Sequence, residues 1–205
     1  MKRSLLLATA AALLMATSPA SAFRSLYKGG AWQTYITTSD SDGKPLCGMS
    51  TSGNGATLHV KYTSHAKLFI QIFQDGWSIP PGTAIPGYLI FDKSEKFPAI
   101  GTGYKDKDGQ SYVEFTIKSG TEIDFMGLVA DADKLIVGFD QGTQNPYRVN
   151  MTGSRMAAKA LGSCADFVDA LETAPQPFAK HAPQPFDTKP QPFNPEQPAK
   201  LKDQI

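Results

Sequence analysis

Side chains alternate in character at Trp32, Thr34 and Ile36, at Leu58, Val60 and Tyr62, and at Leu68, Ile70 and Ile72. A repeat of two is the period of a strand with one face buried, because successive side chains leave a pleated backbone on opposite sides. Residues 88–91, 112–117 and 135–139 add short runs rich in β-branched and aromatic side chains, which suit a pleated, half-buried surface. Asp42-Gly43, Asn54-Gly55, Asp75-Gly76 and Asp108-Gly109 fall between the runs. Glycine takes positive φ without a Cβ clash, so each dipeptide predicts a tight turn. Short strands punctuated in this way predict a mainly β domain, an antiparallel sandwich or barrel.

Two segments depart from that period. Ile123, Met126, Gly127 and Ala130 within residues 121–131 suit either a short helix or a continuation of the preceding strand. Residues 154–171 place Met156, Ala157, Ala160, Leu161, Cys164, Phe167, Val168 and Leu171 on one helical stripe. Ser154 or Thr152 is the expected N-cap and Pro175 the stop. The stripe predicts one C-terminal helix packed on the sheet, with Cys164 on its buried face.

The first 22 residues change how the cysteines are read. Met1-Lys2-Arg3 is positive, Leu5 to Ala16 is almost wholly apolar, and Ala20-Ser21-Ala22 has the small-residue pattern of a cleavage site. These are the marks of a secretory signal peptide over residues 1–22, removed to leave Phe23 first. Ser18-Pro19 ends the apolar run short of the roughly 18 residues a membrane span needs. The expected mature chain is periplasmic or extracellular, with no transmembrane segment. Lys and Arg number 20 against 19 Asp and Glu. Losing Lys2 and Arg3 leaves the balance slightly negative, which gives no electrostatic reason to expect nucleic acid as a partner.

In an oxidising compartment two cysteines predict a disulfide, Cys47 to Cys164. The bridge would tie an early strand to the last helix and close a loop of roughly 120 residues. The chain-entropy account assigns such a loop up to ~4–5 kcal/mol. The competing reading, a nucleophilic cysteine, needs a lowered pKa and a nearby base, and neither cysteine has a histidine close in sequence.

Candidate chemistry is otherwise thin. Asp106-Lys107-Asp108-Gly109 and Asp40-Ser41-Asp42-Gly43 resemble the start of a calcium loop, but Phe115 and Met49 stand where the bidentate Glu belongs, so both read as hairpin turns. Gly101-Thr102-Gly103 lacks the third glycine of a dinucleotide fingerprint, and residues 48–53 miss nucleophile-elbow spacing by one. Both read as loop or strand-edge sequence. His59 and His65 read as surface or strand-edge residues, short of the ligands a zinc site needs. No catalytic residue, cofactor or metal is therefore assigned. The many aromatic rings, Tyr35, Phe73, Tyr104 and Tyr112 among them, could line a ligand groove but read rather as core. Trp77, in a Gly/Pro-rich connection, is the exception expected at an exposed binding rim.

The secretion signal, the Trp32 strand, Cys47 after Gly43-Lys44-Pro45, and Pro80-Pro81-Gly82 before a strand form a recognisable set. So does the run from Tyr147 to Thr152 leading into Gly153-Ser154 and an Ala-rich helix. Over residues 30–171 the chain resembles the invasion-associated locus B family of bacterial periplasmic proteins. Where that family commonly has a cysteine soon after its Trp, this chain has Tyr35 and Ile36. The resemblance implies an all-β, sandwich-like fold with a closing helix and a link to host-cell invasion. It brings no catalytic residues.

Composition changes sharply after residue 172. Three Pro-Gln-Pro-Phe units end at Phe178, Phe186 and Phe193. Proline fixes φ and removes donors, so residues 173–205 are expected to be a disordered, extended tail following a β-rich domain over 23–172. A bare spacer would account for the prolines and lysines, whereas a phenylalanine at the same place in every unit suits docking to an envelope or host protein or peptide, or packing back on the domain. Two function classes follow. One is a secreted, non-catalytic binding or envelope-interaction module; the other is a secreted hydrolase whose site is assembled from distant strands.

Overall fold

The computed structural model describes residues 23–64, 67–92 and 96–173. The signal-peptide and tail readings, with Phe178, Phe186, Phe193 and His65, lie outside the described residues. Strands β1 (Arg24–Gly29), β2 (Trp32–Thr38), β3 (Pro45–Gly53), β4 (Ala56–Thr63) and β5 (Lys67–Gln74) form an antiparallel meander. A second meander, β6 (Ala84–Phe91), β7 (Phe97–Lys105) and β8 (Ser111–Thr116), joins the first through β8 on β5. The chain then passes through helix α1 (Glu122–Asp131) to β9 (Lys134–Phe139), which pairs with β6, and to β10 (Tyr147–Asn150). Helix α2 (Ser154–Thr173) follows. All ten strands belong to one sheet in the order β1-β2-β3-β4-β5-β8-β7-β6-β9-β10.

The domain is thus mainly antiparallel β with a C-terminal helix, as the alternation predicts. The described residues up to Asp169 form one compact unit, and the last turn of α2 belongs to the remainder. The two ends of the sheet are drawn together without laddering. The Ala31 N–H donates to Thr152 O at 2.8 Å, and Trp32 Nε1–H donates to Asn150 O at 2.8 Å. Inward-facing Met49, Leu58, Val60, Ile70, Ile72, Val113 and Val137 fill the core. Helix α2 presents Ala157, Leu161, Cys164 and Val168 to it. Thr34 Oγ1 donates to Ala157 O at 3.0 Å, Tyr62 OH donates to Asp169 Oδ2 at 2.7 Å, and Cys47 and Cys164 form the disulfide with Cα atoms 5.9 Å apart.

The hairpin turns form where glycine predicts them: Asn54 and Gly55 both take positive φ, 52° and 75°, between β3 and β4. Segment 121–131 resolves as a helix, with Phe125 and Val129 one turn apart on its buried face.

Several expectations are corrected. The stretches around Gly48 and Gly101 are central strands, β3 and β7, not loops or edges. Their glycines make room for neighbouring side chains: a Cβ at Gly48 would meet the Tyr35 ring, and one at Gly101 would meet Val113 and Phe115. The buried stripe of α2 is narrower than predicted, because Met156, Phe167 and Leu171 are exposed. At the start of α2, Gly153 O accepts the Ala157 N–H at 3.1 Å, so Gly153 rather than Ser154 or Thr152 holds the cap position.

Candidate functional site

Strand register lines up Gln33, Ser50, His59, Gln71, Glu114 and Thr102 side by side across β2, β3, β4, β5, β8 and β7. Every one of them is polar. They share the face opposite the core, since Leu58 and Val60 beside His59, and Ile70 and Ile72 beside Gln71, point inward. Within this row Gln33 Nε2–H donates to Ser50 Oγ at 3.1 Å, and Gln71 Nε2–H donates to Glu114 Oε2 at 2.8 Å.

Aromatic rings flank the row on both sides. Tyr35 lies over Gly48 in the adjoining row, and Phe73, Tyr112 and Tyr104 stand in register on the other side. Phe23 stacks on Tyr35 at 5.2 Å, Tyr35 meets His59 edge-on at 6.2 Å, and His59 meets Phe73 edge-on at 5.5 Å. Phe73 then stacks on Tyr112 at 4.7 Å, and Tyr112 on Tyr104 at 5.5 Å. The result is an unbroken chain of ring contacts across the outer face.

A groove of about 470 Å³ runs over β4 and β5, lined by Thr57, His59, Lys61 and Phe73. The turns after β2, β5 and β7 supply its rim, with Asp40, Asp75, Asp106, Lys107, Asp108 and Gln110. Lys107 Nζ comes within 3.9 Å of Asp40 Oδ1. Both side chains are exposed, so this contact is screened by solvent and adds little stability. Asp106 Oδ1 accepts the Asp108 and Gln110 N–H groups at 3.0 and 2.8 Å, which makes residues 106–110 a self-braced turn. Among the described residues no three His, Cys, Asp or Glu side chains converge as metal ligands.

The electrostatics centre on His59. Tyr35 OH and His59 Nδ1 lie 2.9 Å apart. Burial holds the Tyr35 phenol well above its ordinary pKa, so it stays protonated. The two share one hydrogen bond, in which the phenol donates to Nδ1 when the imidazole proton sits on Nε2. Burial, helped by the charge on Lys61, pushes the His59 pKa down to about 3. The ring is neutral at physiological pH. Lys61 is lowered too, by burial, with Glu114 and Asp40 opposing.

This arrangement is poor machinery for hydrolysis. Ser50 stands opposite His59 in register, yet its hydroxyl accepts from Gln33, and His59 is held by Tyr35. A base of pKa about 3 is too weak to take a serine proton near neutral pH. A neutral donor set beside rings is suited to holding a polar ligand.

His59, read from sequence as a surface or edge residue, is half-buried on a central strand. Trp77 is half-buried in the connection between β5 and β6, where it meets Phe139 edge-on at 5.5 Å and donates from Nε1 to Gln144 Oε1 at 3.4 Å. Gln71 and Glu114 are not singled out by the sequence reading, and Tyr35 and Tyr112 fall among the rings it takes as core. The signal they carried was that outward positions of predicted strands held rings and amides among the usual Lys and Glu.

No helix among the described residues is long and apolar enough to cross a membrane. No protein-family model matches the chain, and no curated protein matches it. Among solved structures, the fibre head of raptor adenovirus 1 in a β-hairpin-deleted form is similar over 58% of this chain and 98% of its own, at 11% identity and a TM-score of 0.23, a level of likeness that carries no conclusion about this chain.

Proposed function

We propose that the protein is a secreted, non-catalytic binding module of the bacterial envelope, with the groove over β4 and β5 as its ligand site. The observation that carries this reading is the His59 environment: a neutral imidazole, fixed by Tyr35, set in a chain of aromatic rings and facing no activated nucleophile. A cavity of about 470 Å³ falls in the range of small-ligand sites, ~300–1,000 Å³. The disulfide suits an oxidising compartment, and the N-terminal sequence suits export. The resemblance to the invasion-associated locus B family supports an envelope role with a link to host cells. Phe178, Phe186 and Phe193 would add a second, multivalent contact with an envelope or host protein or peptide.

Affinity capture from the native envelope tests the reading, using the intact chain, a His59→Phe variant and a chain ending at Glu172. Capture lost in His59→Phe alone assigns binding to the groove, and capture lost on truncation alone assigns it to the repeats. Hydrolysis of an envelope substrate that disappears in Ser50→Ala would overturn the non-catalytic reading.

A further inference from the structure

We infer that the groove over β4 and β5 receives a Pro-Gln-Pro-Phe unit from a second copy of this chain, so that copies associate repeat to groove. The inference rests on the groove being a ligand site, as proposed above, and names its occupant. The floor of the site is aromatic. Phe73 lines the groove, and Tyr112 and Tyr104 stand beside it in register on β8 and β7. Phe73 and Tyr112 are half-buried and Tyr104 is exposed, and their ring centroids follow one another at 4.7 and 5.5 Å. Rings held by a sheet beside a groove suit a polyproline-II segment, whose conformation is set before it binds and which therefore loses little entropy on docking.

The chain itself carries such a segment. Residues 175–178, 183–186 and 190–193 each read Pro-Gln-Pro-Phe, and two prolines in four residues fix φ and bias the unit to polyproline II. Three residues make one turn of that helix, so the first Pro and the Phe of a unit share an edge, about 9 Å apart. The two steps from Phe73 through Tyr112 to Tyr104 cover a matching span. Charge agrees with this occupant. Asp40, Asp75, Asp106 and Asp108 outnumber Lys61 and Lys107 around the groove, and Lys107 faces Asp40, so the rim favours a basic ligand. Lys180 and Lys189 follow Phe178 and Phe186 by two and three residues, which brings an ammonium group to the rim when the preceding ring is seated on the floor. Number then selects a second copy. A groove of about 470 Å³ is the size of a single small-ligand site, whereas the chain holds three units, so at least two units of every chain are left for the grooves of others. Residues 174–205 reach roughly 100 Å when extended at ~3.1 Å per residue, enough to bridge to a neighbouring copy, and units on one tail raise the effective concentration for the next contact.

The test joins sedimentation of the full chain to an NMR titration. The full chain should sediment as species larger than a monomer, in a share that rises with concentration, and the variant Phe178→Ala, Phe186→Ala and Phe193→Ala should stay monomeric. That variant, isotope-labelled, keeps the groove without its own repeat rings. A synthetic peptide of residues 174–194 should shift its Thr57, His59, Phe73 and Gln110 signals together, and the same peptide with the three Phe replaced by Ala should not. Unlabelled Phe73→Ala chain, which keeps the repeats, should reproduce those shifts. Adding Phe73→Ala to the labelled chain should weaken the peptide at least tenfold. If that chain fails to fold, Asp75→Lys with Asp108→Lys on the exposed rim should weaken it at least threefold. A peptide that binds while the full chain stays monomeric at every concentration overturns the second copy as occupant and gives the groove to the chain's own repeats. A peptide that leaves the groove signals unmoved overturns the inference altogether. Envelope capture lost in His59→Phe would then keep the groove as a site for another ligand, and capture unaffected by His59→Phe would remove both readings.

Discussion

The Tyr35 hydroxyl lies 2.9 Å from His59 Nδ1, joining two residues 24 positions apart in sequence across the intervening strand β3. Gly48 makes that reach possible, because Tyr35 extends over a position with no side chain. The bond ties the imidazole to the phenol and orients the ring on the outer face. Tyr35→Phe should keep the fold and cost about 1–2 kcal/mol in urea unfolding. Nitrogen-detected NMR of the imidazole should show one Nε2–H tautomer in the parent and a mixture in the variant. A single unchanged tautomer in both would show that the phenol does not set the proton.

Stability should fall in acid partly through His59. Its folded pKa of about 3 lies below the ordinary 6.5, so between those values the unfolded chain binds a proton that the folded chain refuses. The contribution is complete above pH 6.5 and is lost as pH falls toward 3, at no more than about 1.4 kcal/mol per pH unit. Urea unfolding at pH 7 and pH 5 should show a larger loss for the parent than for His59→Phe. Equal losses would mean that the imidazole is not held neutral.

The Cys47–Cys164 bridge joins β3 to α2. Thiol titration of denatured, unreduced protein should find no free thiol. Cys47→Ser with Cys164→Ser should lower stability by up to ~4–5 kcal/mol, read as a reduced urea midpoint. Two reactive thiols in the unreduced protein would contradict the pairing.

Gly48 and Gly53 lie on the same strand in different surroundings. A Cβ at Gly48 would enter the Tyr35 ring, whereas one at Gly53 meets nothing within 4 Å. Gly48→Ala should therefore cost about 1–3 kcal/mol, and Gly53→Ala should be close to neutral. Comparable melting temperatures for the two variants would show that Tyr35 does not lie over β3.

Local chemistry carried much of the fold into the sequence. A repeat of two at Leu58, Val60 and Tyr62 or at Leu68, Ile70 and Ile72 reports a one-sided core directly. Asn54-Gly55 reports a hairpin, because few other dipeptides accept two successive positive φ values. A single cysteine pair behind an export-type leader predicts its own partner.

The groove was decided by tertiary structure, and so were the strands that carry its glycines. Gly48 and Gly101 lower strand propensity locally, and the side chains that pack on them come from Tyr35, Val113 and Phe115 on neighbouring strands. Likewise, nothing near His59 in sequence names Tyr35 or Gln71 as its neighbours. Only the register of six strands sets polar side chains from Gln33 to Glu114 in one row and closes the ring contacts beside them. Trp77 shows the same limit: its edge-on contact with Phe139 joins residues far apart in the chain. Alternation tells which face a side chain takes, while its neighbours on that face depend on strand order and register, which are properties of the whole sheet.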